Sequence, residues 1–140
     1  MVNKKVINPT RIRRIDGGFS FIPHRFLTDG FLGSLNQKEI LLYFFLTLVS
    51  DRYGLSFYSY DVICSYLELC VDDYIGARDG LIEKDLVTYD GTLFQVLDLP
   101  ESPVPSQPTK AVLDSAGRGH RSAEIQSLIQ QSLWGGQGDR

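Results

Sequence analysis

Few residues in this chain have the types and spacing that chemistry requires. Its two histidines are His24, between Pro23 and Arg25, and His120, in a polar stretch near the C-terminus. Neither has a Cys, Asp or Ser at a spacing that nucleophilic catalysis uses. Cys64 and Cys70 stand six positions apart with no second Cys-x-x-Cys or His-x-x-x-His to complete a zinc tetrad. They are expected to be free thiols serving as small core residues. The runs Gly117-Arg118-Gly119-His120 and Gly135-Gly136-Gln137-Gly138 lack the preceding strand and the Lys-Ser/Thr of a phosphate loop. Glu68 with Asp72, and Asp79 with Glu83, are like charges four apart on expected helices, and no pattern marks either pair for acid and base roles. The expectation is a non-enzymatic chain with no cofactor, no metal and no small-molecule substrate.

Charge is the chemistry that remains. The 140 residues carry 14 Lys+Arg against 17 Asp+Glu, a net charge of -3 that averages over three unlike segments. Residues 1–34 hold Lys4, Lys5, Arg11, Arg13, Arg14 and Arg25 against Asp16 and Asp29, a net of +4. Residues 35–99 hold four basic side chains against eleven acidic ones, a net of -7, and residues 100–140 hold four of each. A basic arm beside an acidic body either contacts an external anion or docks on the body. Arg11, Arg13 and, after a bend, Arg25 fall on one face of an extended segment. Arms of this kind follow a phosphate backbone or enter a minor groove. The alternative is an edge strand, Arg-Ile-Arg-Arg-Ile, whose charges keep it soluble. Phe19, Phe21, Phe26 and Phe31 are expected to cover the core rather than to stack on bases.

With 43% apolar and 22% charged residues, the chain has the composition of one small domain with tails. Its longest apolar run, Ile40 to Val49, is half of the ~20 residues needed to span a bilayer. The N-terminal MVNKKVINPTRIRRIDGG lacks a secretory h-region, so a cytoplasmic location without membrane contact is expected.

Ser34 followed by Leu35-Asn36-Gln37 has the pattern of a capping box and predicts a helix from Leu35 to Ser50, apolar on nearly every face. Ser59 predicts a second, amphipathic helix to Leu67. A third spans Val71 to Asp85, with Tyr74, Ala77, Leu81 and Ile82 inward. The period then changes: Leu86–Tyr89 and Thr92–Leu97 are β-prone, and Asp90-Gly91 between them signals a two-residue hairpin. Four of the six prolines lie in residues 100–108, a linker. Residues 109–140 are expected to be a flexible tail with one short amphipathic helix, its stripe made by Ile125, Leu128, Ile129 and Leu133.

The stretch from Leu67 to Val87 resembles the helix-turn-helix core of bacterial winged-helix DNA-binding proteins. The matching positions are Leu67 and Leu69 before the turn, Ala77 and Leu81 in the recognition helix, and Glu83-Lys84-Asp85-Leu86-Val87 leading into the wing. The resemblance covers Ser34 to Leu99. It implies a winged helix-turn-helix of three helices plus a hairpin, with residues 1–33 as arm and lead-in. It also implies DNA as partner, in a role in transcription regulation or in replication or mobile-element maintenance. Lys4, Lys5, Arg11, Arg13, Arg14, Arg25 and Arg78 are the candidate contacts.

One departure bears on function. The first turns of the recognition helix read Val71, Asp72, Asp73, Ile75, Gly76 and Asp79, where basic or amide side chains are the usual readers of DNA. Acidic residues in a first turn do complement the helix dipole. Arg78 is expected to pair with an acid such as Asp61. A second function class follows, a protein-interaction module using Val71 and Ile75, or Ile125, Leu128, Ile129 and Leu133, to bind a second copy or another protein.

Overall fold

The computed structural model describes residues 4–104. In chain order they form a short helix α1 (Arg25–Thr28), the long α2 (Gln37–Val49), strand β1 (Leu55–Ser56), helices α3 (Tyr60–Leu67) and α4 (Val71–Glu83), and strands β2 (Val87–Tyr89) and β3 (Phe94–Val96). The fold is mainly helical, with a small antiparallel sheet ordered β1-β3-β2. The three helices and hairpin expected from sequence are therefore four helices and three strands. Strand β1 pairs Leu55 with Gln95 and Ser56 with Phe94; two residues are too few to show an alternating pattern.

Helix α2 starts two residues later than Ser34 predicts. The Ser34 hydroxyl donates to Phe31 O at 2.6 Å inside a 3-10 turn, Leu32–Ser34, so it is not available as a cap. Asn36 caps instead: its Oδ1 accepts from Glu39 N at 2.9 Å, and Glu39 Oε1 accepts from Asn36 N at 2.9 Å. The capping box exists, with Asn and Glu as its members rather than Ser and Gln.

The same Glu39 joins α2 to α4. Its side chain is only 4% exposed, and Oε1 also accepts from Lys84 Nζ at 2.6 Å. That ammonium donates in addition to Ser34 O at 2.8 Å. Each charge faces the favourable end of its own helix, Glu39 in the first turn of α2 and Lys84 at the C-cap of α4. Gly80 lies under the carboxylate, and a Cβ there would overlap Glu39 Oε2. Glycine, unfavourable inside a helix by about 1 kcal/mol, is therefore required by close approach.

The exit from α4 is a Schellman motif. Leu86 N donates to Leu81 O and Asp85 N to Ile82 O, both at 3.1 Å, while Asp85 holds a left-handed φ of 62°. Leu81 and Leu86 are both buried, the apolar contact that accompanies this turn. It delivers the chain into β2.

The core gathers Leu42 and Leu46 of α2, Ile63 of α3, Tyr74 and Leu81 of α4, and Val87 and Phe94 of the sheet. It also reaches back before residue 34. Phe26 stacks on Tyr43 at 4.7 Å between centroids, and Phe31 is fully buried. Ile82 is exposed instead of inward, and α2 is not apolar-buried all round, because Phe44 and Leu48 face outward. No described helix is long and apolar enough to cross a membrane. The linker beyond Val104 and the whole amphipathic tail lie outside the described residues.

Two substitutions test these turns by urea denaturation. Gly80→Ala forces a methyl onto the Glu39 carboxylate and is expected to destabilise the fold by about 1–3 kcal/mol. Asp85→Gly removes the left-handed strain and is expected to stabilise it by roughly 0.4–1 kcal/mol.

Candidate nucleic-acid interface

The arm is shaped by local hydrogen bonding and left open to solvent. Asn8 caps a 3-10 turn, Pro9–Arg11, its Oδ1 accepting from Thr10 N at 3.2 Å and from Thr10 Oγ1 at 2.7 Å. Ile12 is extended, so Arg11 and Arg13 flank it on an open backbone. Residues 4–19 are exposed throughout. The arm meets the body at Ser20, whose hydroxyl donates to Leu48 O at 3.1 Å. Of the four phenylalanines expected to cover the core, Phe26 and Phe31 do; Phe19 and Phe21 are 66% and 75% exposed.

The cations divide into two groups. Among the described residues Lys5, Arg11, Arg13 and Arg14 form no ion pair. Three of the four cations in residues 35–99 do. Lys38 pairs with Asp73 at 2.7 Å, Arg78 with Asp79 at 3.1 Å and Lys84 with Glu39. Arg52 lies over its neighbour Tyr53, 5.0 Å from the ring centroid. Three of the eleven carboxylates in residues 35–99 are thus paired from within, and among the described residues no arm arginine docks on the body.

Arg25 belongs with the body, not with the arm's open face. Its Nε pairs with Asp29 at 3.1 Å, Nη2 donates to Pro100 O at 2.7 Å and Glu101 O at 3.2 Å, and its guanidinium lies 5.3 Å from the Phe31 centroid. It clamps the chain leaving β3 against α1. Arg78 is not paired with Asp61 as expected. It sits between the Tyr74 and Tyr89 rings, 5.7 and 5.5 Å from their centroids, and bonds Asp79. The hydrogen bond from the Ser59 hydroxyl holds the Asp61 carboxyl below its ordinary range.

The outer face of α4 presents Val71, Asp72, Ile75, Gly76 and Asp79. Asp73 is turned to structural use. Its hydrogen bond with Lys38 holds its carboxyl below the usual range and raises the Lys38 ammonium. Cys70, expected in the core, is exposed and caps α4, its Sγ accepting from Asp73 N at 3.4 Å. Cys64 is half-buried, and that burial pushes its thiol up.

The hairpin loop has four residues, not two, because Tyr89 pairs with Phe94. Asp90 Oδ1 accepts from Thr92 N at 2.8 Å and Leu93 N at 2.7 Å, and Gly91 takes a φ of 100°. An Asx turn therefore replaces the tight turn that Asp90-Gly91 suggested. Residues 87–96 contain no Lys or Arg.

Comparison with family models, with curated proteins and with solved structures finds no match to this chain. The geometry must speak for itself. Among the described residues no three His, Cys, Asp or Glu side chains gather as metal ligands. Sequence reasoning did not find the outward pair Phe44 and Leu48, which a continuous apolar run hides, or the arm's anchor at Ser20, which has no sequence signal.

The Asp90 turn gives a pH prediction. Amides of Leu93 and Thr92 hold this carboxyl below its ordinary value. Its contribution is complete above the unfolded carboxylate pKa and is lost as pH falls through the lower folded value. A carboxylate-resolved NMR titration should place Asp90 below the model-peptide range, with the Thr92 and Leu93 amides moving at the same midpoint.

Proposed function

We propose that this chain is a non-enzymatic DNA-binding protein of winged helix-turn-helix type, a small regulator or a replication or mobile-element accessory factor. Its N-terminal arm contacts the phosphates and the helical body carries the arm. The element order helix, strand, helix, helix, hairpin supports the fold assignment, together with the strand order β1-β3-β2. The observation that carries the function is the division of cations. Among the described residues Lys5, Arg11, Arg13 and Arg14 form no ion pair on an exposed arm, while Lys38, Arg78 and Lys84 are paired within the body. Lys4 extends that charge. Arg25 and Arg78 act inside the body, so the proposed contact set is Lys4, Lys5, Arg11, Arg13 and Arg14.

Phosphate contacts fix position without reading sequence. The acidic face of α4 and the hairpin, which holds Asp90 and no Lys or Arg, offer few donors to base edges, so binding of modest sequence preference follows. A second reading, a protein-interaction module, is favoured by Val71 and Ile75, which stand 46% and 38% exposed beside Asp72 on α4. Under it, light scattering of the full chain shows a dimer or a complex.

Fluorescence anisotropy with a labelled duplex tests the preferred reading. Five phosphate contacts give a log-log salt slope of about -4 to -5, and Arg11→Ala/Arg13→Ala/Arg14→Ala should remove roughly three units of it. Affinity at about 50 mM salt should fall by orders of magnitude in that variant. Absence of binding by the parent chain at that salt contradicts the proposal.

A further inference from the structure

Three aromatic side chains stand exposed around one groove at the root of the arm. Phe19, Phe21 and Tyr53 are 66%, 75% and 64% exposed, and all three line a groove of about 930 Å³ between the arm, the end of α2 and strand β3. That volume falls within the ~300–1,000 Å³ of ligand pockets. The bond from Ser20 Oγ to Leu48 O holds the backbone between the two phenylalanines against α2. Across the groove Gly54, at a φ of 83°, lies so close to β3 that a Cβ would overlap Val96 O, and this close turn carries Tyr53 on the rim. Exposed rings gathered at one groove mark a binding surface, whereas scattered ones do not.

Charge decides which part of a ligand enters. The groove's own ionised side chains are Asp51, Asp98 and Arg52, two acidic and one basic, so it favours a neutral ring over a phosphate. Asp51 is committed to the turn, its Oδ1 accepting from Tyr53 N at 2.8 Å and Leu55 N at 3.0 Å. Arg52 lies 5.0 Å from the Tyr53 centroid and widens that platform with a planar cation. Gln95 and Asp98 bring an amide and a carboxylate to the edge of a bound ring. The arm has the complementary charge. Arg14 is five residues before Phe19, and Gly17, at a φ of 76°, turns the chain between the cations and the rings. A cationic track beside stacking platforms is the combination that holds a single strand, the cations following the phosphates and the rings taking the bases. A duplex offers the track its phosphates but keeps its bases stacked out of reach.

Resting on the DNA-binding reading above, we propose that the groove at the arm's root takes an unpaired base of single-stranded DNA. The base stacks among Phe19, Phe21 and Tyr53, while Lys5, Arg11, Arg13 and Arg14 hold the neighbouring phosphates. Such a contact engages the ring without reading its identity, because every base has a π-face.

Fluorescence anisotropy of the full chain tests this with three labelled ligands: a single strand of mixed sequence, an abasic strand of the same length and charge, and a duplex. The single strand should bind tighter than the abasic strand by roughly 5- to 150-fold for each stacked base. Phe19→Ala/Phe21→Ala/Tyr53→Ala changes only exposed positions and should abolish that difference, leaving duplex affinity and its salt slope as in the parent. Retained duplex binding also shows that the variant is folded. Equal binding of the base-bearing and abasic strands overturns the proposal, as does a difference that survives the triple substitution; in both cases duplex binding by the parent leaves the DNA-binding reading standing. Failure to bind any of the three ligands overturns that reading and this one with it.

Discussion

The Glu39 carboxylate is the group around which the body is arranged. A buried anion must be given donors, and here they come from the Asn36 amide and the Lys84 ammonium. That requirement fixes where α2 begins and excludes a side chain at position 80. It also sets the end of α4 at Lys84, one residue before the turn into β2. Losing one partner of such a pair strands the other, a cost of about 3–5 kcal/mol that rivals the stability of a small domain. The sheet inherits its position from the same contact, because β2 leaves directly from the Schellman turn and β1 joins only through β3.

That arrangement has an electrostatic consequence. A body with net charge -7 uses its cations internally, to hold Glu39, Asp73 and Asp79 and to fill the space between Tyr74 and Tyr89. No surplus cation is left on α4 or the hairpin to meet a phosphate. The arm has the opposite character. Among the described residues its Lys5, Arg11, Arg13 and Arg14 form no ion pair, so their field extends into solvent and favours an external anion. The scaffold and the proposed contact surface are therefore separate parts of one small chain.

Much of this was legible in the residues. The three longer helices, the β-prone runs and the Pro-rich exit follow from periodicity and turn chemistry, and the basic arm follows from counting charges. What could not be read depended on tertiary partners. Ser34-x-x-Gln37 and Asn36-x-x-Glu39 are overlapping capping patterns, and Lys84, 45 positions away from Glu39, favours the second. Arg25 looked like part of the arm until the carbonyls of Leu99 to Glu101, over seventy positions on, claimed its guanidinium. Phe44 and Leu48 were hidden inside a run too uniformly apolar to show which side faces water.

The central claim is that the arm, and not α4, meets the nucleic acid. Titrating the isotope-labelled full chain with a short duplex and following backbone and arginine side-chain NMR signals locates the contact directly. The account predicts that residues 4–14 shift or broaden progressively, with Arg11, Arg13 and Arg14 Nε signals leading, while Val71–Asp79 stay in place. Shifts concentrated on Val71–Asp79, with the arm unmoved, would contradict it.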